Sequence, residues 1–166
     1  MKENLFDKYL SGNKGFYACL SILVLLSFLV FKDFILLHNV FLYKDIGSDS
    51  VNNSYTHYLN IYEYIRTEGF PKWSFNVGMG QNIFSFILVD PPDIIVYFFG
   101  KDHLAYGVIF KELFKIFVSG LVFYLYLRKL SLTTYTCIIG AMLYSFSGFM
   151  ILGSCWALFS FEAMLL

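Results

Sequence analysis

Apolar residues are concentrated in three segments of the chain, at about residues 15–37, 104–127 and 133–153. Each segment has roughly the 20 residues that a helix needs to cross about 30 Å of hydrocarbon. The pattern therefore predicts three membrane-spanning helices. Composition agrees, because only 14% of the residues are charged, whereas soluble domains carry about 25%.

A loop of about residues 43–102 connects the first two segments and holds seven of the acidic residues. Residues 51–65 place apolar side chains at steps of three and four, which predicts an amphipathic helix on the membrane surface or against its neighbours. Two apolar pieces on either side of the Asp-Pro-Pro-Asp sequence at 90–93 are too short to cross a bilayer. We interpret them as interfacial or re-entrant helices.

Basic residues near the ends of the spans predict the orientation. Lys2, Lys8 and Lys14 precede the first span, and Arg128 and Lys129 follow the second. Because such clusters favour the cytoplasmic side, the N-terminus is expected in the cytoplasm and the loop outside it. The chain ends within an apolar pattern, so we expect residues 1–166 to be the N-terminal part of one transmembrane domain in a longer protein.

Charge and cysteine content exclude some classes of protein. The formal net charge is zero and no basic patch alternates with aromatic residues, so nucleic acid is not an expected partner. Cys19, Cys137 and Cys155 lie in apolar runs without metal-like spacing. We expect buried thiols there, not a zinc site or a disulfide framework.

Asp49 is the first candidate for catalysis. It stands at the predicted start of the amphipathic helix, where the helix dipole favours an ionised carboxylate. Such a group could accept a proton from a hydroxyl or hold a divalent cation, the one cofactor that the pattern suggests. A purely structural helix cap is the alternative. Asp45 is a second candidate, or a partner for Lys44.

Lys111, Glu112 and Lys115 lie inside the second span, where a charge at the centre costs about 2.5–3.5 kcal/mol. Such residues usually face a protein interior or a wet cavity. The two lysines share a helix face and suit a phosphate, and Glu112 could pair with Lys115. Alternatively, the charges neutralise one another near the outer interface. Glu162, near the end of the chain, could face the same cavity as Lys111 and Lys115. Alternatively, it is a loop residue.

The turn-rich stretch after the amphipathic helix contains Trp73 and a Gly78–Asn82 turn. With the loop tyrosines, Trp73 could form a surface on which a sugar stacks. The alternative is an aromatic belt at the membrane interface. The turn is not a phosphate-binding loop, because the Lys-Ser/Thr pair and the preceding strand of that motif are missing.

Taken in order, these segments resemble the YfhO-type bacterial membrane proteins. The run KDIGSDSVNNSYTHYLNIYEYIRTEGFPKWSFNVGMGQN is similar to their first external loop, with Asp49, Gly69–Ser74 and Gly78–Asn82 at matching positions. VDPPDIIVYFF, KIFVSGLVFYLYLRKL and MLYSFSGFM follow in the order of the family. The resemblance covers about residues 15–166.

This resemblance implies the GT-C architecture, an all-α polytopic glycosyltransferase of the bacterial cell membrane with a long extracytoplasmic first loop bearing amphipathic helices. It implies a lipid-linked sugar donor, of the polyprenyl-phosphate type, and a cell-envelope polymer such as teichoic acid as acceptor. By position, Asp49 is the implied catalytic acid and Asp45 the second choice. The substrate-binding residues expected around them are Lys115, Lys111, Trp73, Asn82 and Glu162.

Two other interpretations of the sequence stay open. A polytopic transporter or flippase subunit would use the in-membrane Lys and Glu residues to line a conduit, and it would move a lipid-linked sugar without cleaving it. A truncated remnant would have no activity. Cleavage of the lipid-linked donor would distinguish the enzyme from a transporter or flippase. An open reading frame with further spans beyond Leu166 would favour the enzyme, whereas an early stop would favour the remnant.

Overall fold

The computed structural model describes residues 9–10, 13–42, 50–70, 72–84 and 90–152. In this part of the chain the structure is predominantly helical, as predicted, with one short antiparallel hairpin. The elements in chain order are α1 (Asn13–Ile35), a π-helical turn (Ser50–Tyr55), α2 (Thr56–Thr67), β1 (Trp73–Ser74), β2 (Gln81–Asn82), a 3-10 turn (Pro91–Asp93), α3 (Ile94–Tyr97), a second 3-10 turn (Lys101–His103), α4 (Leu104–Lys129), α5 (Thr134–Ser145) and α6 (Gly148–Leu152).

The chain divides into two compact units. The helical unit comprises Met1–Lys32 and Leu113–Leu166, and the loop unit comprises Asp33–Glu112. Helix α4 is continuous from one unit into the other, because the division falls between Glu112 and Leu113. The loop unit therefore contains most of the predicted external loop together with the first turns of α4.

Among the described helices, α1 is the one that is both long and apolar enough to cross a membrane. Its helical backbone is interrupted at Phe31, just before Lys32 and Asp33. Helix α4 covers the second predicted span and has 26 residues, but it carries the three charged residues noted above. The third predicted span is divided into α5 and α6 by Phe146 and Ser147.

Close packing in the helical unit joins α1 to α4 and α4 to α5. A Cβ atom at Gly120 would lie 3.0 Å from the methyl carbons of the fully buried Leu23, so a small residue lets the two helices approach. The rings of Phe123 and Tyr144 stack with their centroids 4.4 Å apart. These contacts hold three helices of the unit together.

The cysteines that the structure describes are buried, as predicted. Cys19 and Cys137 are both fully buried, and neither forms a disulfide. Their burial follows from their positions in apolar helices, since a thiol packs as a small hydrophobic group. Cys155 lies outside the described residues.

The amphipathic segment forms as the π-helical turn followed by α2. Helix α2 buries Tyr58, Ile61 and Tyr64, which are three residues apart and therefore lie on one face. Tyr58 belongs to the hydrophobic core of the loop unit together with Val96 of α3 and with Leu104 and Val108 of α4.

The hairpin follows α2 and pairs Trp73 with Asn82 and Ser74 with Gln81. Gly78 and Gly80 adopt φ angles of 59° and 105°, which close the turn and which residues with a side chain rarely adopt. A Cβ atom at Gly80 would also lie 2.7 Å from Nε1 of Trp73. Glycine is therefore required there both by the backbone and by the neighbouring indole ring.

Candidate functional site: a buried ionic cluster

The ammonium group of Lys111 is the centre of a buried ionic cluster in the loop unit. Its Nζ atom lies 2.7 Å from the hydroxyl oxygen of Tyr58 and 2.9 Å from Oδ1 of Asp93. Oε1 of Glu112 is 3.4 Å away and Oδ2 of Asp90 is 3.5 Å away. Three carboxylates and one phenol thus surround a single cation.

Three separate segments of the loop unit supply these groups. Tyr58 comes from α2, while Lys111 and Glu112 are neighbours on α4. Asp90 and Asp93 flank two prolines, and the backbone N–H of Asp93 donates to the carbonyl oxygen of Asp90 at 2.8 Å. Because proline fixes φ, the short turn holds both carboxylates on the same side, toward Lys111.

The cluster is almost completely removed from solvent. Lys111, Asp90 and Glu112 are each at most 5% exposed. An isolated charge would be very costly in such surroundings, whereas a charge with several partners is tolerated.

Tyr58 connects two members of the cluster through its hydroxyl group. The hydroxyl accepts a hydrogen bond from Lys111 and donates one to Oδ1 of Asp93 at 3.0 Å. Burial raises the pKa of Tyr58, so the phenol keeps its proton at neutral pH and remains a donor. The chain of donors therefore has one direction, from Lys111 through Tyr58 to Asp93.

His57 is half-buried beside this cluster, and its titration gives a testable pH dependence. Burial lowers the pKa of His57, and the nearby Asp93 opposes that effect. The unfolded chain therefore binds a proton at His57 more readily than the folded chain does. As the pH falls through the ordinary histidine value of about 6.5, this difference should progressively destabilise the folded loop unit.

We expect the His57→Gln substitution to remove this contribution. The thermal midpoint of the purified protein in detergent should decrease less for the variant than for the unchanged chain between about pH 7.5 and pH 5.5. Equal decreases for both proteins would contradict the assignment. His103, an exposed histidine of the same unit, provides the matched control through His103→Gln.

The structure brings together some of the residues predicted for the site. Trp73 and Asn82 are directly opposite each other in the hairpin. Lys111 and Lys115 lie one turn apart on α4, and Lys115 is 3% exposed. Asp45, Asp49 and Glu162 lie outside the described residues, so their positions remain predictions.

Glu112 contacts Lys111, which corresponds to the self-neutralising arrangement that the sequence left open. The sequence did not identify Asp90, Asp93 and Tyr58 as partners of Lys111. The sequence did contain a clue to the two aspartates: they stand between two apolar pieces, and a lysine in an apolar helix, such as Lys111, needs an anionic partner. Tyr58 gave no such signal, since its spacing on α2 is that of an ordinary core residue.

An open cleft of about 520 Å³ also lies in the loop unit. The C-terminal half of α2 forms one wall, Asn76 of the hairpin contributes an amide, and Lys101 follows α3. Lys101 forms an exposed ion pair with Glu63 inside this cleft. The lining thus includes acidic, basic and amide side chains together with two tyrosines. These residues are Glu63, Arg66, Glu68, Asn76, Lys101, Tyr62 and Tyr64.

In the part of the chain that the structure describes, no group of three His, Cys, Asp or Glu residues is arranged to hold a metal ion. The three carboxylates of the ionic cluster are directed at an ammonium group instead. A divalent cation at Asp49 remains a prediction, because Asp49 is not among the described residues.

A helix that is long and apolar enough to cross a membrane leads into a polar unit with a buried ionic centre, which is compatible with a membrane protein. The chain matches the family model of the bacterial membrane protein YfhO over residues 19–166, and it belongs to this family. No curated protein matches the chain. No solved structure matches it either.

Proposed function

We propose that this chain forms part of a GT-C-type membrane glycosyltransferase. The enzyme would transfer a sugar from a polyprenyl-phosphate donor to a cell-envelope polymer such as teichoic acid. Membership of the YfhO family over residues 19–166 carries the proposal, because the first-loop resemblance to that family implies this chemistry. The polar loop unit, which directly follows an apolar helix, supports it as a place where a lipid-borne sugar is handled.

The proposed topology has the N-terminus in the cytoplasm and the loop unit on the outer side of the membrane. In this arrangement α1 is the first crossing, α4 the second, and α5 with α6 the third. Lys14 in the first turn of α1 and the Arg128–Lys129 pair at the end of α4 support it, because basic residues favour the cytoplasmic side.

We assign the chemistry to Asp49, with Asp45 as the second choice. Asp49 would orient or deprotonate the acceptor hydroxyl, and it would be the ligand of a divalent cation if the reaction uses one. Lys115 would offset negative charge on the departing lipid phosphate. Lys111 is already surrounded by carboxylates, so we assign it to holding the loop unit together. Glu162 would contribute from the end of the chain.

The cleft beside α2 is our candidate for the hydroxyl-rich part of a substrate. Sugar hydroxyl groups both donate and accept hydrogen bonds, and the cleft offers carboxylates, an amide and cations at short range. Its volume lies within the range of small-molecule sites, about 300–1,000 Å³. Tyr62 and Tyr64 also line this cleft.

A transfer assay in proteoliposomes tests the proposal against a flippase. The vesicles would contain the full chain, a polyprenyl-phosphate donor with a radiolabelled sugar, and external teichoic acid. A transferase should move the label into the polymer and release polyprenyl phosphate, whereas a flippase should move intact donor between the leaflets. Label that stays entirely on the lipid while the donor changes leaflet would contradict the proposed function.

A further inference from the structure

The hairpin of the loop unit presents large apolar side chains to its surroundings. Phe75 is 80% exposed and Met79, in the turn, is fully exposed. Phe70 and Trp73 are also more than half exposed. Soluble surfaces rarely expose several such residues close together in the chain, so this group, here called the apolar tip, is a candidate contact surface.

The two faces of the hairpin have different surroundings. Ser74 and Ile83 are buried in the loop unit, whereas Trp73 and Phe75 are exposed and contact each other edge to face with ring centroids 6.4 Å apart. The hydroxyl of Tyr64 donates to the carbonyl oxygen of Trp73 at 3.2 Å and so fixes the base of the hairpin to α2. The apolar tip is thus held in place on a folded support.

The charge pattern around the tip distinguishes a lipid surface from other partners. From Phe70 to Val89 the chain has one charged residue, Lys72, although the rest of the loop is rich in acids. A segment without acids and with one lysine is compatible with anionic lipid headgroups, from which carboxylates would be repelled. The tip is therefore the part of the loop best suited to approach a bacterial membrane.

The loop unit is joined directly to an apolar helix. The unit begins at Asp33, in the last turns of α1, and α1 is apolar and long enough to cross a membrane. The loop unit is therefore joined to a helix that can reach a lipid surface. Tryptophan and other amphipathic aromatic residues are enriched at that interface.

We propose that the apolar tip inserts into the interfacial region of the bilayer, at the boundary between headgroups and acyl chains, and anchors the loop unit there. Burial of Trp73, Phe75 and Met79 among lipid chains supplies the hydrophobic driving force, and Lys72 lies among lipid phosphates. This proposal does not depend on glycosyl transfer. It selects the aromatic-belt interpretation of Trp73 over sugar stacking.

Fluorescence of Trp73 tests the insertion directly. The chain has two tryptophans, so the Trp156→Phe substitution leaves Trp73 as the one emitter. In vesicles of phosphatidylglycerol and phosphatidylethanolamine, brominated acyl chains should quench this emission and aqueous iodide should not. The double substitution Phe75→Ser with Met79→Ser should weaken quenching by bromine and increase quenching by iodide.

Phe98→Ser is the matched control, because Phe98 is 82% exposed in the same unit but lies outside the hairpin. It should leave both kinds of quenching unchanged. Quenching by iodide but not by brominated lipid would overturn the proposal. If an added soluble oligosaccharide then reduced the quenching by iodide, Trp73 would be assigned to a sugar site. Protection of Trp73 from both quenchers would show that protein covers the tip, which also contradicts the proposal.

Discussion

Replacing Lys111 by methionine is expected to lower the free energy of unfolding of the loop unit by about 3–5 kcal/mol. The substitution keeps an apolar stem of similar length and removes a cation that contacts Asp90, Asp93 and Glu112. Three carboxylates would then face one another in a site nearly closed to water. The thermal midpoint of the purified protein in detergent should fall by about 10 °C.

The exposed Lys101 provides the control for this experiment. Its ion pair with Glu63 is more than half exposed on both sides, so Lys101→Met should leave the midpoint almost unchanged. A partial recovery is expected when Asp90→Asn and Asp93→Asn are added to Lys111→Met, because the repulsion is then relieved. Equal midpoints for the Lys111 and Lys101 variants would show that the cluster does not stabilise the unit.

Loss of the Asp49 carboxylate is expected to reduce sugar transfer by at least about 100-fold, the lower end of what a general acid or base contributes. Asp49→Asn keeps the size of the side chain but removes its ability to accept a proton or to bind a cation firmly. The assay is transfer of label from the lipid donor to teichoic acid in proteoliposomes. The comparison requires equal amounts of each variant in the membrane.

Asp45→Asn is the matched control, since it changes a second acid of the same short segment. If Asp49 carries the chemistry, the Asp45 variant should retain most of the activity. The opposite result, an active Asp49 variant and an inactive Asp45 variant, would move the assignment to Asp45. Full activity of both variants would remove this segment from the mechanism.

These two experiments separate the parts of the loop unit that hold its structure from those that would act on substrate. Lys111, Tyr58 and the two aspartates around the prolines join segments that are distant in the sequence. Burial leaves them little access to a ligand, whereas the polar cleft beside α2 is open to solvent. A variant of the cluster should therefore lose stability, and a variant of Asp49 should lose activity at unchanged stability.

Periodicity and composition predicted the first apolar helix and the amphipathic helix. The apolar segment at about residues 15–37 forms α1, and the amphipathic spacing of residues 51–65 forms the π-helical turn and α2. The order of the loop motifs also indicated the YfhO family, which the comparison with family models confirmed. These features depend on neighbours in the sequence, which is why they can be recognised without a fold.

The tertiary structure alone decided which groups meet. The sequence left open whether Lys111 binds a phosphate with Lys115 or is neutralised by neighbouring acids, and the fold places it among Asp90, Asp93 and Glu112. Likewise, the sequence favoured an interfacial role for Trp73 over sugar stacking, but only the fold shows that Trp73 is exposed beside Phe75 on the hairpin. Local patterns determine helices because their hydrogen bonds are local, whereas the partners of a buried charge are set by the packing of segments far apart in the chain.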